Sequence, residues 1–166
     1  MNHKIIRISA EHVEGFRAVL DSVARERRYL AFLEAPPLES VEAFVLGNIA
    51  AGAPQYVAIC DNRLVGWCDV LPKSRPTRRH SGVLGIGVME GYRGQGIARD
   101  LMAIAIQAAR DKGITRIELT VRTDNIRAIR LYERFGFTIE GVVRRDMLVD
   151  DQYRDSLLMA LLYDAT

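Results

Sequence analysis

Arg93, Gly94, Gln95, Gly96, Ile97 and Ala98, with Gly91 just before them, form the segment whose residue types best suit chemistry. They lie between an apolar, strand-like run (83–89) and an amphipathic helical run. Glycine lets the backbone turn tightly and lets a bulky group approach it. A helix that starts here offers free N–H groups and the positive end of its dipole, which together suit a phosphate. Arg93 adds a fixed charge. The spacing excludes two other phosphate loops. A Walker loop needs Gly, four residues and Gly-Lys-Ser/Thr, and the chain has no such run. A dinucleotide fingerprint needs a third glycine where this chain has Arg99, after Gly94-x-Gly96, or Glu90, after Gly85-x-Gly87. The pattern that fits is Arg-x-x-Gly-x-Ala.

A second informative stretch runs from Asn125 to Phe137. Asn125 stands at a helix start, where its amide can bond free backbone groups. Ala128 and Tyr132 are four residues apart and share one face with Asn125. Taken singly, each stretch also reads as ordinary structure, a glycine turn in one case and a short amphipathic helix in the other.

The rest of the chain must position these groups. The apolar pattern gives strands at 4–8, 55–60, 63–71, 82–89, 114–121, 137–149 and 152–163, with turns at Asp61-Asn62 and Asp150-Asp151. Helices are expected at 10–28, 39–52, 97–112 and 124–134. The second should bury Val41, Phe44, Val45, Leu46 and Ile49. The third should bury Ile97, Leu101, Ile104/Ala105 and Ala108, and Asp124 can cap the fourth. The order β-α-α-β-β-β-α-β-α-β-β is an α/β sheet with helices on its faces.

At 166 residues, 49% hydrophobic and 27% charged, the chain reads as one globular domain, 1–166. A net charge of +2 does not by itself point to nucleic acid. No apolar run reaches membrane-spanning length and the N-terminus has no signal-like region, so a cytoplasmic location is expected. Cys60 and Cys68 read as buried thiols, neither a disulfide nor a metal pair, because regular pairing around Asp61-Asn62 would set Cys68 opposite Gln55, away from Cys60.

Together the two motifs resemble the GNAT N-acetyltransferase superfamily. Its acyl-CoA loop reads Gln/Arg-x-x-Gly-x-Gly/Ala. Its next motif reads Asn, Ala, then Leu-Tyr-Glu-x-x-Gly-Phe, matched by Asn125, Ala128, Leu131-Tyr132-Glu133 and Gly136-Phe137. Arg75-Pro76, Arg79-His80, the run from Arg116 to Val121, Glu140-Gly141 and the run from Asp150 to Asp155 look like its bacterial small-molecule and amino-acid branch.

The resemblance implies a mixed sheet of about seven strands, with helices on both faces, splayed between strands 4 and 5. It implies acetyl-CoA as cosubstrate, held by Val88, Arg93, Gly94, Gln95, Gly96, Ile97, Ala98, Asn125, Ala128 and Tyr132, with the Arg99 amide nearby. Gly85 and Gly87 would let the cofactor arm come close. Tyr132 would protonate the leaving sulfur, and the Val88 N–H would steady the oxyanion. The base stays open among Glu34, Asp69, His80 and Glu118, or water alone. The acceptor is expected to be a small amine, such as an amino acid or an amine toxin. Trp67 or Tyr29 would line its pocket, and an arginine from 25–28 or 75–79 would read a carboxylate. Protein N-termini or lysines are the alternative acceptors, and a non-catalytic acyl-CoA-binding module is the alternative of another class. No metal, nucleic acid or membrane is implied, and a homodimer is compatible.

Overall fold

The computed structural model describes residues 2–165. Its elements follow the expected order: β1 (His3–Arg7), α1 (Val13–Arg25), α2 (Leu38–Ala51), β2 (Gln55–Cys60), β3 (Arg63–Pro72), β4 (Ser81–Val88), α3 (Ile97–Asp111), β5 (Arg116–Arg122), α4 (Ile126–Arg134), β6 (Thr138–Val149) and β7 (Gln152–Leu162). Asp61 and Asn62, and likewise Asp150 and Asp151, all have positive φ, the backbone of two-residue hairpin turns. That is why short polar residues stand there.

The strands form one seven-stranded sheet in the order β1-β2-β3-β4-β5-β7-β6. Only β4 and β5 run parallel, and they pair through Ser81–Arg116, Gly82–Ile117 and Val83–Glu118 alone. Beyond Val83 the two strands separate, while β4 stays paired to β3 as far as Val88 opposite Gly66. The expected splay is therefore present.

α1 and α2 cover one face, packing Phe16, Val19, Val23, Val41 and Val45 against Val57 and Trp67. α3 and α4 cover the other, packing Ile97, Leu101, Met102, Ile129 and Tyr132 against Cys68, Ile117 and Met159.

Four local expectations are corrected. α2 buries only Val41 and Val45, one narrow i, i+4 stripe, while Phe44, Leu46 and Ile49 are about two-fifths exposed. α3 leaves Ile104 exposed and Ala108 half-buried, and turns Met102, Ile106 and Ala109 inward with Ala105. It lies across β2, β3 and β4, so its buried stripe is wide. Asn125, not Asp124, caps α4: its side chain accepts from the Ala128 N–H at 3.2 Å. The β2–β3 ladder shifts by one residue between Ala58 and Ile59, so Gln55 faces Asp69 and Cys68 faces Tyr56. Both cysteines are buried free thiols.

Candidate active site

α3 and α4 both begin where the separated strands end, so the crevice between β4 and β5 opens at the carboxyl ends of two parallel strands. Open α/β sheets bind ligands at such a place. The N-cap of α3 is Gly96, left-handed at φ 84° and without a side chain to cap the helix. The first bond inside the helix is Asp100 N–H to Gly96 C=O. The N–H groups of Ile97, Ala98 and Arg99 therefore have no helical partner. Gly94 is also left-handed, at φ 78°.

The edge of β4 can be read from its ladder. Met89 N–H donates to Val65 C=O, toward β3. Backbone groups alternate along a strand, so those of Val88 and Ile86 point to the opened side. The Val88 carbonyl is taken by Arg93 Nε at 2.8 Å, and its N–H faces the crevice.

The Arg93 guanidinium turns inward. Nη1 and Nη2 donate to Glu26, and the group lies 4.8 Å from the Tyr29 ring centre. The positive charge around the glycine loop comes instead from Arg99 and Arg127. A Cβ on Gly96 would meet the Arg99 guanidinium at 3.0 Å, and one on Gly94 would meet Arg127 at 3.1 Å. Sequence spacing did not single out these two side chains, because the motif specifies the backbone and not what flanks it.

Tyr132 is buried on the α3 side of the sheet, beside Phe137. Burial, with Cys68 nearby, pushes its hydroxyl well above the ordinary tyrosine range, so it stays a proton donor. Among the described residues none hydrogen-bonds to that hydroxyl. Ala128 is half-buried one turn earlier on the same helix.

The four base candidates separate clearly. His80 precedes β4, and its carbonyl accepts from Thr115 and Arg116 at the closed end of the strands. Eight residues of strand put it roughly 25 Å from Val88. Glu34 is exposed and pairs with Arg25 at 3.4 Å. Burial alone would raise the Glu118 carboxyl, but hydrogen bonds from Lys73 and Arg116 outweigh it and hold the group below its usual range. Asp69 is buried, accepts from Gln55 Nε2 at 3.2 Å, and is pushed up to about 7 by burial, against hydrogen bonds from Gln55 and the Gly85 N–H.

Gly85 and Gly87 make room for side chains of β3. A Cβ on Gly85 would meet Asp69 Oδ1 at 3.0 Å, and the Trp67 ring fills the space beside Gly87. Trp67 packs edge-on against Phe16, as a core residue.

On the face that carries Asp69 and Trp67, the open end of the crevice meets the chain that follows α1. Arg122, buried at the end of β5, binds Asp124 and donates to the Arg27 carbonyl at 3.2 Å. Arg27 reaches Asp150 in the β6–β7 turn at 2.7 Å. Arg25 pairs with Asp21 and Glu34, and Arg28 lies by the Tyr29 ring. Residues 75–79 lie with His80 at the closed end, away from this mouth. Ser156, opposite Arg122 in the ladder, and Arg154, two residues earlier on the same face of β7, remain. Ser156 Oγ and Arg154 Nε are buried without a hydrogen-bond partner among the described residues. Also among the described residues, no group of three or more His, Cys, Asp or Glu is placed to hold a metal, and no helix is long and apolar enough to cross a membrane.

An uncapped helix start beside a splayed parallel strand pair suits a ligand that carries phosphate. Residues 18–137 match the Acetyltransferase (GNAT) family, and the chain belongs to that family as an N-acetyltransferase. The L-amino acid N-acetyltransferase AaaT of Escherichia coli (strain K12) is 36% identical over 110 residues, 66% of this chain and 68% of that protein. A GNAT acetyltransferase structure from Streptococcus pneumoniae superposes with a TM-score of 0.90 at 26% identity, covering 98% of this chain and all of that one. The phosphinothricin acetyltransferase of Sinorhizobium meliloti, solved with acetyl-CoA, shares the fold at TM-score 0.92 and 14% identity, covering 100% of this chain and 94% of that one.

Proposed function

We propose that the chain transfers the acetyl group of acetyl-CoA to the amine of a free amino acid. One observation carries the reading. The unpartnered N–H groups of Ile97, Ala98 and Arg99, the outward Val88 N–H and the unpartnered Tyr132 hydroxyl belong to β4 and to the two helices that follow the separated strands. The helix amides, with Arg99 and Arg127 beside them, suit a pyrophosphate. Gly94, Gln95, Arg93 and Asn125 shape the loop and the helix start around it.

Acetyl-CoA supplies a thioester carbonyl and a thiol leaving group. The Val88 N–H stabilises negative charge on the carbonyl oxygen as the amine adds. Tyr132 donates its hydroxyl proton toward the sulfur as the carbon–sulfur bond breaks, and regains one that the nitrogen loses. The acceptor enters from the α1–α2 side, where Arg154 Nε and Ser156 Oγ are donors without partners. Such donors match a carboxylate. The amino-acid acceptor named for the Escherichia coli relative agrees with this chemistry.

The test is release of free CoA thiol when the protein and acetyl-CoA meet a panel of amino acids, polyamines and peptides. Turnover favouring amino acids supports the proposal. Turnover of peptides alone would replace it with protein acetylation. Binding of acetyl-CoA with no turnover on any amine would make the chain a binding module.

A further inference from the structure

We infer that Asp69 takes the proton from the acceptor amine, with Gln55 and Asn48 holding its carboxylate in place. The inference rests on the acetyltransferase reading above.

Asp69 is about 5% exposed on β3 and, among the described residues, pairs with no cation. Burying a carboxylate without a counter-charge is costly, and hydrophobic packing alone gives no reason for an aspartate there. The structure instead builds a support for it. Asn48 of α2 donates to Gln55 Oε1 at 3.2 Å, and Gln55, fully buried, donates to Asp69 Oδ2 at 3.2 Å. The second oxygen, Oδ1, lies over Gly85. A Cβ at Gly85 would press on it at 3.0 Å. Gly85 is itself only half-buried, and the neighbouring Val83 is 41% exposed on the same face. Asp69 Oδ1 therefore lies against a half-buried stretch of β4, beside the point where β5 departs. One oxygen is held by Gln55, and the other lies over Gly85, two residues beyond the last pair that joins β4 to β5.

The surroundings leave this group to titrate by itself. α1 turns only apolar residues inward, Val13, Phe16, Val19, Leu20, Val23 and Ala24. α2 buries Val41 and Val45 and presents Asn48. Cys68, the adjacent residue, points to the opposite face. On the same face Lys73, Glu118 and Arg116 pair together at the closed end, and Arg122 pairs with Asp124 at the open end.

The protons balance. The ammonium gives one proton to Asp69, which passes it to solvent. The neutral nitrogen then forms the new carbon–nitrogen bond while the carbon–sulfur bond breaks. The nitrogen's second proton replaces the one that Tyr132 gives to the sulfur.

The test compares wild type with Asp69→Asn, which keeps shape and packing. In the variant kcat should fall roughly 10²- to 10⁴-fold. The acetyl-CoA-induced rise in melting temperature should be unchanged, and the ascending limb of kcat against pH should vanish. A second measurement needs no variant. The wild-type limb in kcat should stay in place for acceptors whose own amine pKa values differ. A limb that moves with the acceptor, or an Asp69→Asn enzyme that keeps the rate and the limb, would overturn the assignment to Asp69 alone. A wild type that acetylates no amine would instead overturn the acetyltransferase reading, and this assignment with it.

Discussion

Arg93 donates Nη1 and Nη2 to the two carboxylate oxygens of Glu26, at 2.9 and 2.6 Å, while its Nε holds the Val88 carbonyl at 2.8 Å. One side chain thus joins the end of α1 to the last residue of β4. Each partner is about one-fifth exposed, so the pair is better shielded than an ordinary surface bridge. Arg122 fastens the next residue, Arg27, to β5. The chain leaving α1 is therefore pinned to both separated strands, and the mouth of the crevice has a fixed wall.

Removing one partner leaves the other charge without its match, at a cost of roughly 1–3 kcal/mol. Both Glu26→Gln and Arg93→Met should lower the melting temperature and raise KM for the acceptor. Neither should abolish the acetyl-CoA-induced thermal shift. Loss of that shift in Arg93→Met but not in Glu26→Gln would show that the guanidinium serves the phosphates after all.

Gly96→Asp tests the helix start. It places a carboxylate at a left-handed position whose Cβ would also press on the Arg99 guanidinium. Aspartate tolerates that backbone better than most residues, so the fold should survive. Acetyl-CoA at ~100 times its Kd stabilises the wild type by about 2.7 kcal/mol, and the variant should gain almost nothing. Equal melting shifts in the two proteins would move the phosphate site elsewhere.

Tyr132→Phe removes a buried hydroxyl that has no partner to orphan. The fold should be nearly unaffected, and kcat should drop roughly 10²-fold with little change in KM for acetyl-CoA. Single-turnover kinetics measure the chemical step directly. An unchanged rate there would remove Tyr132 from the proton transfer.

Much of this arrangement is legible in the sequence because glycine spacing and apolar periodicity are local. The two motifs mark the starts of α3 and α4, and strand order brings them together. Asp69 is legible as one of four acidic or basic candidates, but its support is not. Its place opposite Gln55 depends on a bulge at Ala58/Ile59, and one inserted residue changes every later pairing. Gly85 and Gly87 likewise look like room for a ligand. Only the register shows that Asp69 and Trp67 of the neighbouring strand use that room. The inward turn of Arg93 depends on Glu26, 67 residues earlier in the chain, which no local pattern reports.

Asp69 also makes a prediction about stability. Its folded-state value of about 7 lies above the ordinary 3.8, so the protonated form is favoured by folding. Its contribution is fully present below about pH 4 and is lost as pH rises to about 7, up to about 4 kcal/mol in all. Asp21, Asp100 and Asp124, held low chiefly by hydrogen bonds from Arg25, His3 and Arg122, act in the opposite sense and lose stability in acid. The difference between wild type and Asp69→Asn isolates the first effect. The variant should gain on the wild type as pH rises from 4 to 7 in denaturant titrations. A constant difference across that range would mean that Asp69 is already ionised in the fold.

The acceptor's carboxylate is the last point to test. Arg154 and Ser156 lie on one face of β7 at the crevice mouth, and Ser156 stands opposite Arg122. Arg154 Nη2 donates to Gln152 at 2.6 Å, but its Nε and the Ser156 hydroxyl have no partner among the described residues. Leaving buried donors unpaired costs about 1–3 kcal/mol each, and an arriving carboxylate would recover part of it. Arg154→Met should therefore reduce kcat/KM for amino acids by one or more powers of ten, each worth about 1.4 kcal/mol. Turnover of the matching amino acid amides should change little. Ser156→Ala should show the same preference more weakly, because a neutral donor contributes less than a charged one. Amides and amino acids differ in amine pKa, so rates are compared per neutral amine. If Arg154→Met loses both acceptor types equally, the side chain supports the β7 end and reads no carboxylate.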